Sequence, residues 1–364
     1  MTSPAVQQTR GVAAFPTIAE AITPAWLSSV LGAAVRSVEV SSVGTGQMGD
    51  SARLSLVYDD PETVPLPPTI VAKLPAADPT SRATALAGRS YEIEVRFYQQ
   101  LAPDLPVRTP RLFHADVEPA TADFVLLLED LAPACQGDQL AGCTADQAAL
   151  AVTEVAKLHA PRWGDPALAH IEWLDRRHAR RVLDPLTLMP QLWAGFVERY
   201  ADALDEEVIE VGERFIDRLA IWYERRPEPW SIVHNDYRLD NLLFGSDNGG
   251  PPIAVVDWQT ASHGPPVADV AYFLGAGLLP DERRRHEVDL VRAYHRAVTA
   301  AGAHGWSWDR CWEDYRRYAY AGLHMAVLAS MIVEQTPRGD EMFMAMAHRH
   351  TRQVVELASE ELLS

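Results

Sequence analysis

The spacing of apolar residues predicts that the first third of the chain forms an antiparallel sheet accompanied by two helices. Five short stretches alternate between apolar and polar residues, as half-buried strands do. They span roughly 36–43, 51–58, 69–74, 111–116 and 123–128. Two other stretches, 17–32 and about 80–101, repeat their apolar residues at the spacing of a helix.

After residue 128 the pattern becomes mainly helical. Helical spacing recurs near 144–160, 187–204, 206–226, 267–278, 283–301, 307–334 and 340–362. The region 231–258 is the exception and predicts a hairpin. Strands with few helices, followed by mostly helices, indicate an α+β fold in two lobes. We expect a small antiparallel-sheet lobe over residues 1–128 and a larger, mainly helical lobe over residues 129–364.

The hairpin region contains the residues with the clearest chemistry. His234, Asp236 and Asn241 have the spacing H-x-D-x-x-x-x-N, and a further apolar run ends at Asp257. In kinase-type phosphoryl transfer the first Asp accepts the proton of the substrate hydroxyl, while the Asn and the second Asp hold magnesium on the nucleotide phosphates. A surface hairpin with chance polar residues is the alternative, but a second acid behind a buried-type strand favours the catalytic interpretation. The candidate catalytic loop and metal-binding segment span 232–244 and 253–259.

A glycine-rich stretch lies between the first two predicted strands. Gly44, Gly46 and Gly49 have the spacing G-x-G-x-x-G, which is a weak signal by itself. A dinucleotide-binding version precedes a helix, whereas here the alternating stretch 51–58 follows. A loop between two strands is typical of the glycine-rich loop that covers the ATP phosphates in kinases. Glycine has no side chain, so the backbone of such a loop can approach the phosphates closely. An ordinary flexible hairpin is the alternative.

Lysine is rare in this chain. Only Lys73 and Lys157 are lysines among the 32 Lys and Arg residues. Lys157 fits an exposed helix position, but Lys73 ends the run Val-Ala-Lys, close to the kinase V-A-I-K pattern whose ammonium contacts nucleotide phosphates. A helix carboxylate must orient that ammonium, and Glu94 is the candidate, with Glu92 as the fallback. A strand-edge lysine that extends its ammonium into solvent is the alternative interpretation.

The strand that ends at residue 128 is followed by Glu129, Asp130 and Leu131. In a two-lobed kinase this position is the hinge, whose backbone groups contact the adenine edge. Glu129 and Leu131 are therefore candidate nucleotide-binding residues. An acidic strand end without function explains the same residues equally well.

Composition excludes several classes of protein. The net charge of −18 argues against a nucleic-acid surface, because phosphate binding needs clustered Lys and Arg. No apolar run reaches the roughly 18 residues of a membrane span, and the first residues have no apolar secretion core. Three scattered cysteines are too few for a disulfide framework or a zinc site. These features favour a cytoplasmic protein without nucleic-acid or membrane partners.

Three motifs carry a resemblance to a known family. They are H-N-D-Y-R-L-D-N at 234–241, D-W-Q at 257–259 and G-P-P-V-A-D-V-A-Y-F-L at 264–274. With the glycine-rich hairpin, Lys73 and Glu94 before them, they make the chain resemble the aminoglycoside phosphotransferase and choline kinase-like superfamily over roughly 17–335. Within it, the chain looks most like the broad phosphotransferase family close to ecdysteroid-kinase-like proteins and the kinase domains fused to some acyl-CoA dehydrogenases.

The resemblance implies a protein-kinase-like fold and ATP- and Mg²⁺-dependent phosphorylation of a small-molecule hydroxyl. It assigns Asp236 as the catalytic base and Asn241 and Asp257 as the metal ligands. It also implies that Asp269 braces the catalytic loop and that His234 packs beneath it. Both would be supporting residues without a part in proton transfer.

Two positions depart from the pattern of the relatives. Asn235 stands where relatives often have Gly, and Asn tolerates the left-handed backbone that such a turn needs. Gln259 replaces the Gly of the protein-kinase D-F-G motif, which puts a flipping switch of that kind in doubt. The sequence also has no A-P-E segment and no evident activation loop between Asp257 and Asp269. We therefore do not expect protein substrates.

The resemblance places the acceptor site in an insertion before the catalytic loop, here roughly 163–230. Arg176 and Arg180, spaced i,i+4 beside Arg177 and Arg181, are candidate contacts for an anionic acceptor. A solvated helix face is the alternative. The insertion also has several aromatic residues, most of them expected in the core and one or two in an acceptor pocket: Trp163, Trp173, Trp193, Tyr200, Trp222 and Tyr223.

Two classes of function remain open on sequence alone. The first is an active small-molecule kinase whose acceptor is a metabolite alcohol or hydroxyacyl compound, with an aminoglycoside-type antibiotic as the runner-up acceptor. The second is a catalytically inactive kinase-like binding protein. The usable chemistry at Lys73, Asp236, Asn241 and Asp257 favours the enzyme. A monomer and a homodimer are both compatible with the sequence.

Overall fold

Five strands near the start of the chain form one sheet in which every neighbouring pair is antiparallel. The computed structural model describes residues 14–43, 49–62, 65–175 and 184–364. The sheet order is β1-β2-β3-β5-β4. The strands are β1 (Val35–Ser42), β2 (Gly49–Tyr58), β3 (Thr69–Pro75), β4 (Leu112–Glu118) and β5 (Asp123–Glu129).

The two faces of this sheet pack against different partners because successive side chains of a strand point to opposite sides. Ile70, Ala72 and Leu74 of β3 are buried in a cluster with Leu27 of helix α1 (Pro24–Leu31). The opposite face contributes Phe124, Leu126 and Leu128 of β5 to a second, larger core shared with the rest of the chain. Lys73 lies between Ala72 and Leu74, whose side chains face α1. Because side chains alternate along a strand, Lys73 points to the opposite face, toward the larger core.

The predicted helix over 80–101 is wrong as a single element. It is two helices, α2 (Pro79–Gly88) and α3 (Ser90–Gln100), and Arg89 between them has a left-handed backbone with φ of 57°. The Arg89 guanidinium bonds to Glu92 and Glu172, which fixes the break. The predicted helix over 17–32 likewise becomes regular only at Pro24, where the Thr23 hydroxyl caps it.

The rest of the chain is mainly helical, and with the sheet it confirms the α+β, two-lobed expectation. The helices are α4 (Ala145–His159), α5 (Pro185–Arg199), α6 (Glu206–Asp217), α7 (Leu219–Glu224), α8 (Val267–Gly277), α9 (Pro280–Ala300), α10 (Trp308–Arg317), α11 (Ala321–Ile332) and α12 (Pro337–Glu356). No helix within the described ranges is long and apolar enough to cross a membrane.

Two small sheets interrupt the helices where the sequence predicts a hairpin. Strands β8 and β9 form that hairpin, β6 adds to its edge, and β7 pairs with β10. Their bounds are β6 (Cys135–Gln136), β7 (Ser231–Val233), β8 (Leu242–Ser246), β9 (Gly249–Val255) and β10 (Ser262–Gly264). The loops that follow β7 and β9 carry the two predicted catalytic segments.

His348 and His350 lie two residues apart on a helix, so their side chains point in different directions and cannot share a metal ion; on sequence both are predicted to lie at the surface. The prediction is wrong for His350, which is fully buried. It continues the buried stripe of Phe343, Met346 and Ala347 on α12, three and four residues apart. Burial lowers the pKa of His350 to about 4, so the ring is neutral at pH 7.

Close packing around His350 predicts that Gly322 of α11 cannot be enlarged. A Cβ at Gly322 would lie 1.8 Å from Nε2 of His350, a ring that α12 holds in place. We expect Gly322→Ala to lower the free energy of unfolding by about 1–3 kcal/mol, the usual cost of overpacking. Chemical denaturation of the purified protein measures it.

Gly195→Ala in α5 is the matched control for that measurement. Its added Cβ would meet the terminal methyl of Met331 at 2.8 Å, the far end of a flexible side chain. Alanine is more favourable than glycine inside a helix by up to about 1 kcal/mol, so the free energy of unfolding of this variant should be unchanged or slightly higher. Equal destabilisation of both variants would show that the contact with His350 is not the cause.

Candidate active site

Lys73 lies at the centre of a buried group of charges. Its ammonium is 2.6 Å from Oε1 of Glu94 and 3.1 Å from Oδ1 of Asp257. The three residues come from β3, from α3 and from the loop after β9, so strands and helices distant in sequence meet here. The pair of contacts fixes the ammonium between two carboxylates.

Helix α3 supplies Glu94 from its buried face. Tyr91, Glu94, Val95 and Tyr98 have helical spacing and are all buried, with Glu94 only 1% exposed. The fallback candidate, Glu92, instead pairs with Arg89. Of the two carboxylates, the structure therefore brings Glu94 to Lys73.

Burial and charge act in opposite directions on this group. Burial would lower the pKa of Lys73, but the negative charges of Asp257 and Glu94 outweigh it and raise that pKa. Burial would raise the pKa of Asp257, yet the charge of Lys73 outweighs it and lowers that pKa. Burial raises the pKa of Glu94 against the opposing effect of Lys73. At neutral pH Lys73 and Asp257 are therefore ionised.

The segment around Asp257 is anchored to the sheet lobe by its neighbour Trp258. The indole is fully buried and stacks on Phe97 of α3, with ring centroids 3.8 Å apart. The Trp258 backbone N–H also donates to Oε1 of Glu94 at 3.3 Å. Gln259 donates its amide to Oδ2 of Asp257 at 3.3 Å, so the residue that replaces the D-F-G glycine contacts the carboxylate directly.

Asp269 is placed beneath the loop that follows β7. One carboxylate oxygen accepts the backbone N–H of His234 at 2.7 Å, and the other accepts that of Asn235 at 2.8 Å. His159 of α4 contacts the same carboxylate at 3.1 Å. The His234 ring is fully buried and bonds to the Val256 carbonyl at 3.0 Å, which joins this loop to the segment before Asp257.

Asn235 has the left-handed backbone that its position suggests, with φ of 63°. Its amide nitrogen donates to the Thr260 carbonyl at 2.7 Å and to the Ser262 hydroxyl at 2.8 Å. The side chain therefore links the loop to β10, which glycine at this position could not do. The departure from the relatives adds two hydrogen bonds to the loop.

Three side chains contact the carboxylate of Asp236. The Tyr272 hydroxyl donates to Oδ1 at 2.9 Å, the Asn241 amide donates to Oδ2 at 2.8 Å, and Nε of Arg238 donates to Oδ1 at 3.1 Å. Arg238 also pairs with Asp240. Burial raises the pKa of the Tyr272 phenol, and the charge of Asp236 adds to this effect, so Tyr272 remains a proton donor.

Sequence reasoning did not select Arg238 or Tyr272 as site residues. Both lie within the motifs quoted above, Arg238 two residues after Asp236 and Tyr272 three residues after Asp269. The helical position of Tyr272 on α8 gave a usable signal, because i and i+3 share a face and Asp269 already points at the loop. The hydrogen bond from Arg238 to Asp236 depends on the geometry of the turn that contains both residues, and the sequence has no pattern that predicts it.

One cleft of about 1450 Å³ connects these groups. Lys73, Glu94, Asp236, Asn241 and Asp257 all line it. Gly49, Glu129 and Leu131 also lie along it, as do Trp222 and Tyr223 from the aromatic set in the insertion. Gly44, Gly46, Arg176 and Arg180 lie outside the described residues.

Arginines hold the end of β5 and the residue that follows it. Glu129 forms a two-bond pair with Arg108, at 2.7 and 2.9 Å, and also accepts the Arg111 backbone N–H. Asp130 pairs with Arg53 of β2 at 2.6 Å. The acidic side chains are thus engaged in positioning the connection between the lobes.

Asn241 and Asp257 each offer an oxygen donor for a cation in this cleft. The Asn241 amide nitrogen is committed to Asp236, so its carbonyl oxygen is the atom left for a metal. Within the described ranges no group of three or more His, Cys, Asp or Glu residues is arranged to hold a metal ion. The two donors can therefore hold magnesium only if phosphate or water oxygens complete its shell.

The bonds of Asn235 generate a prediction about the loop. Asn235→Gly keeps the left-handed backbone but loses two hydrogen bonds, each worth about 1 kcal/mol. Asn235→Ala loses the same bonds and adds about 1 kcal/mol of backbone strain. Chemical denaturation should rank the native protein first, the Gly variant second and the Ala variant last. A more stable Ala than Gly variant would contradict the left-handed geometry.

The model of the phosphotransferase enzyme family matches residues 80–318. Mouse acyl-CoA dehydrogenase family member 10 is 38% identical over 78 residues, which is 21% of this chain and 7% of the mouse protein. The matched part is thus a small fraction of that relative.

Two solved structures are similar in fold. A protein from Ralstonia eutropha JMP134, provisionally described as an aminoglycoside phosphotransferase, aligns over 93% of this chain and 97% of its own, with a TM-score of 0.52 and 15% identity. Plasmodium vivax ethanolamine kinase aligns over 86% of this chain and 82% of its own, with a TM-score of 0.51 and 10% identity. Since the family model matches about two thirds of the chain, the protein belongs to the phosphotransferase enzyme family.

Proposed function

We propose that the protein is an ATP- and Mg²⁺-dependent kinase that transfers the γ-phosphoryl group to a hydroxyl of a small molecule. The observation that carries the proposal is that Lys73, Asp236, Asn241 and Asp257 line one cleft. A phosphotransferase must supply a cation for phosphates, oxygen donors for metal and a base for the acceptor. Lys73 is the cation, Asn241 and Asp257 are the oxygen donors, and Asp236 is the base.

Lys73 binds the nucleotide phosphates in this proposal, and Glu94 orients its ammonium. The 2.6 Å contact between them supports the assignment. Gly49, with Gly44 and Gly46, would cover the phosphates, and backbone groups between Glu129 and Leu131 would contact adenine. These glycine and hinge roles stay predictions from the sequence, as does the lobe boundary at residues 128 and 129.

The donor set fits magnesium. Asp257 is ionised because Lys73 lowers its pKa, and the Asn241 carbonyl oxygen is a second hard donor. Bound there, magnesium would neutralise charge on the nucleotide phosphates. With two protein donors only, we expect the ion to bind together with nucleotide.

Asp236 accepts the proton of the acceptor hydroxyl. In the transfer, the hydroxyl oxygen bonds to the γ-phosphorus, the bond from that phosphorus to the β–γ bridging oxygen breaks, and ADP leaves. The bonds from Tyr272, Asn241 and Arg238 hold the Asp236 carboxylate in one orientation. His234 and Asp269 support the loop beneath it.

We infer a metabolite alcohol as the acceptor in preference to an aminoglycoside-type antibiotic. The four phosphate-handling residues with mutual contacts favour an active enzyme over an inactive binding protein. A role for Arg176 and Arg180 at the acceptor stays a prediction. Residence in the cytoplasm and a monomeric or homodimeric state are likewise predictions.

Replacing the base should separate chemistry from binding. We expect Asp236→Asn to keep ATP affinity but to lower kcat by a factor on the order of 10²–10⁴, the usual contribution of a general base. Steady-state kinetics and calorimetric titration with ATP measure the two effects. Asp240→Asn, the same change in the same loop, is the control and should lose far less kcat. Near-normal turnover by a folded Asp236→Asn protein would refute the assignment.

The two lysines offer a matched test of the nucleotide site. Lys73→Arg should lower kcat/KM for ATP by roughly 10²-fold, because a planar guanidinium cannot replace a compact ammonium between two carboxylates and the phosphates. Lys157→Arg, at a half-exposed residue paired with Glu154, should leave kcat/KM unchanged. Equal activity of both variants would show that Lys73 does not bind phosphate.

A further inference from the structure

Helix α11 is largely apolar. It has the sequence A-G-L-H-M-A-V-L-A-S-M-I, in which His324 and Ser330 are the polar residues, and it contains no Asp, Glu, Lys or Arg. His324 also lines the cleft, where it bonds to the Tyr223 hydroxyl. One side packs into the core through Leu323, Ala326 and Val327, which are fully buried. A soluble surface helix usually has a polar second side, so the opposite side of α11 needs an explanation.

That opposite side faces the cleft. Met325, Leu328, Ala329 and Ile332 lie three and four residues apart, which places them on one stripe of the helix. All four are only partly buried and line the same cleft as Asp236. An apolar stripe at the wall of a concave site is typical of a binding surface for an apolar ligand.

The neighbouring helices extend this apolar wall. Helices α5 and α12 both pack against α11. Met189 of α5 and Met342, Phe343 and Met346 of α12 line the cleft beside the α11 stripe. Methionine is flexible and polarizable, so a wall rich in it adapts to hydrocarbon of irregular shape.

The apolar wall reaches the catalytic loop. The Met342 sulfur lies 3.1 Å from Nη1 of Arg238, and Nε of the same guanidinium is 3.1 Å from the Asp236 carboxylate. One side chain therefore separates the wall from the proposed base. A hydroxyl at Asp236 can belong to a molecule whose body lies along α11 and α12.

We propose that the acceptor is an alcohol with an extended hydrocarbon body, which packs on the α11 stripe while its hydroxyl faces Asp236. The inference rests on the proposed kinase function and specifies its substrate class. Along the stripe itself, α11 has no carboxylate that could pair with a cationic group of an acceptor. Desolvation of hydrocarbon on this wall supplies the binding energy.

The experiment uses the full chain and a series of primary 1-alkanols from butanol to decanol. Binding is measured by calorimetry with the non-hydrolysable analogue AMP-PNP and Mg²⁺ present, and phosphoryl transfer by ADP release with ATP. We expect affinity and kcat/KM to rise by about fourfold for each added methylene until the wall is covered. Kanamycin and ethanolamine, both polar cations, should be poor acceptors.

Two matched variants locate the effect. Leu328→Gln should weaken binding of the longest effective alkanol by about tenfold or more, because it places an amide in the apolar stripe. Leu150→Gln changes a leucine of α4 that is 41% exposed and does not line the cleft, and it should change nothing. The KM for ATP should stay the same in both variants.

The outcomes separate this inference from the proposed function. Chain-length-dependent binding that Leu328→Gln weakens, without phosphoryl transfer, would support the apolar site and overturn the kinase proposal for these acceptors. Transfer to kanamycin or ethanolamine, with no dependence on alkanol length, would overturn the apolar site and leave the kinase proposal standing. Equal effects of Leu328→Gln and Leu150→Gln would also overturn it.

Discussion

The buried contact of Lys73 with Glu94 and Asp257 is the constraint on which the rest of the structure depends. Glu94 is almost fully enclosed, and an enclosed charge without a partner costs about 3–5 kcal/mol. The contact therefore requires β3, α3 and the loop after β9 to meet at one point. The stack of Trp258 on Phe97 holds two of these elements, α3 and the loop after β9, together through ring contact. Electrostatic and apolar terms thus favour the same arrangement of the two lobes.

A second carboxylate, that of Asp269, fixes the loop after β7, just as the carboxylate of Glu94 fixes the ammonium of Lys73. By accepting two consecutive backbone N–H groups it fixes the loop so that Asp236 faces the cleft. The side chains of Tyr272 and Asn241 then restrict the Asp236 carboxylate itself. The charged half of the cleft is thus tied by hydrogen bonds, whereas the half along α11 and α12 is lined by methionine and other apolar side chains.

Much of the architecture could be predicted from the sequence because its signals are local. Alternation predicted the five strands, helical spacing predicted most helices, and the motif around Asp236 located the loop after a buried strand. The errors lie where a side chain contacts something distant. Arg89, at the break between α2 and α3, pairs with the distant Glu172, and His350 is buried because α8 and α11 pack around it. Neither partner is visible in the local pattern.

The sequence by itself determined the fold class, the family and the chemical type of each residue proposed to handle phosphate, since these depend on residue identity and spacing. Only the tertiary structure decided that Glu94 and not Glu92 reaches Lys73, because both carboxylates lie on the same short helix and differ only in the direction they face. It also decided that Arg238 and Tyr272 hold Asp236, and that one side of α11 lines the cleft. Apart from the bond of Arg238, which depends on the geometry of the turn it shares with Asp236, these relations join elements far apart in the chain, and the packing of the whole molecule sets them.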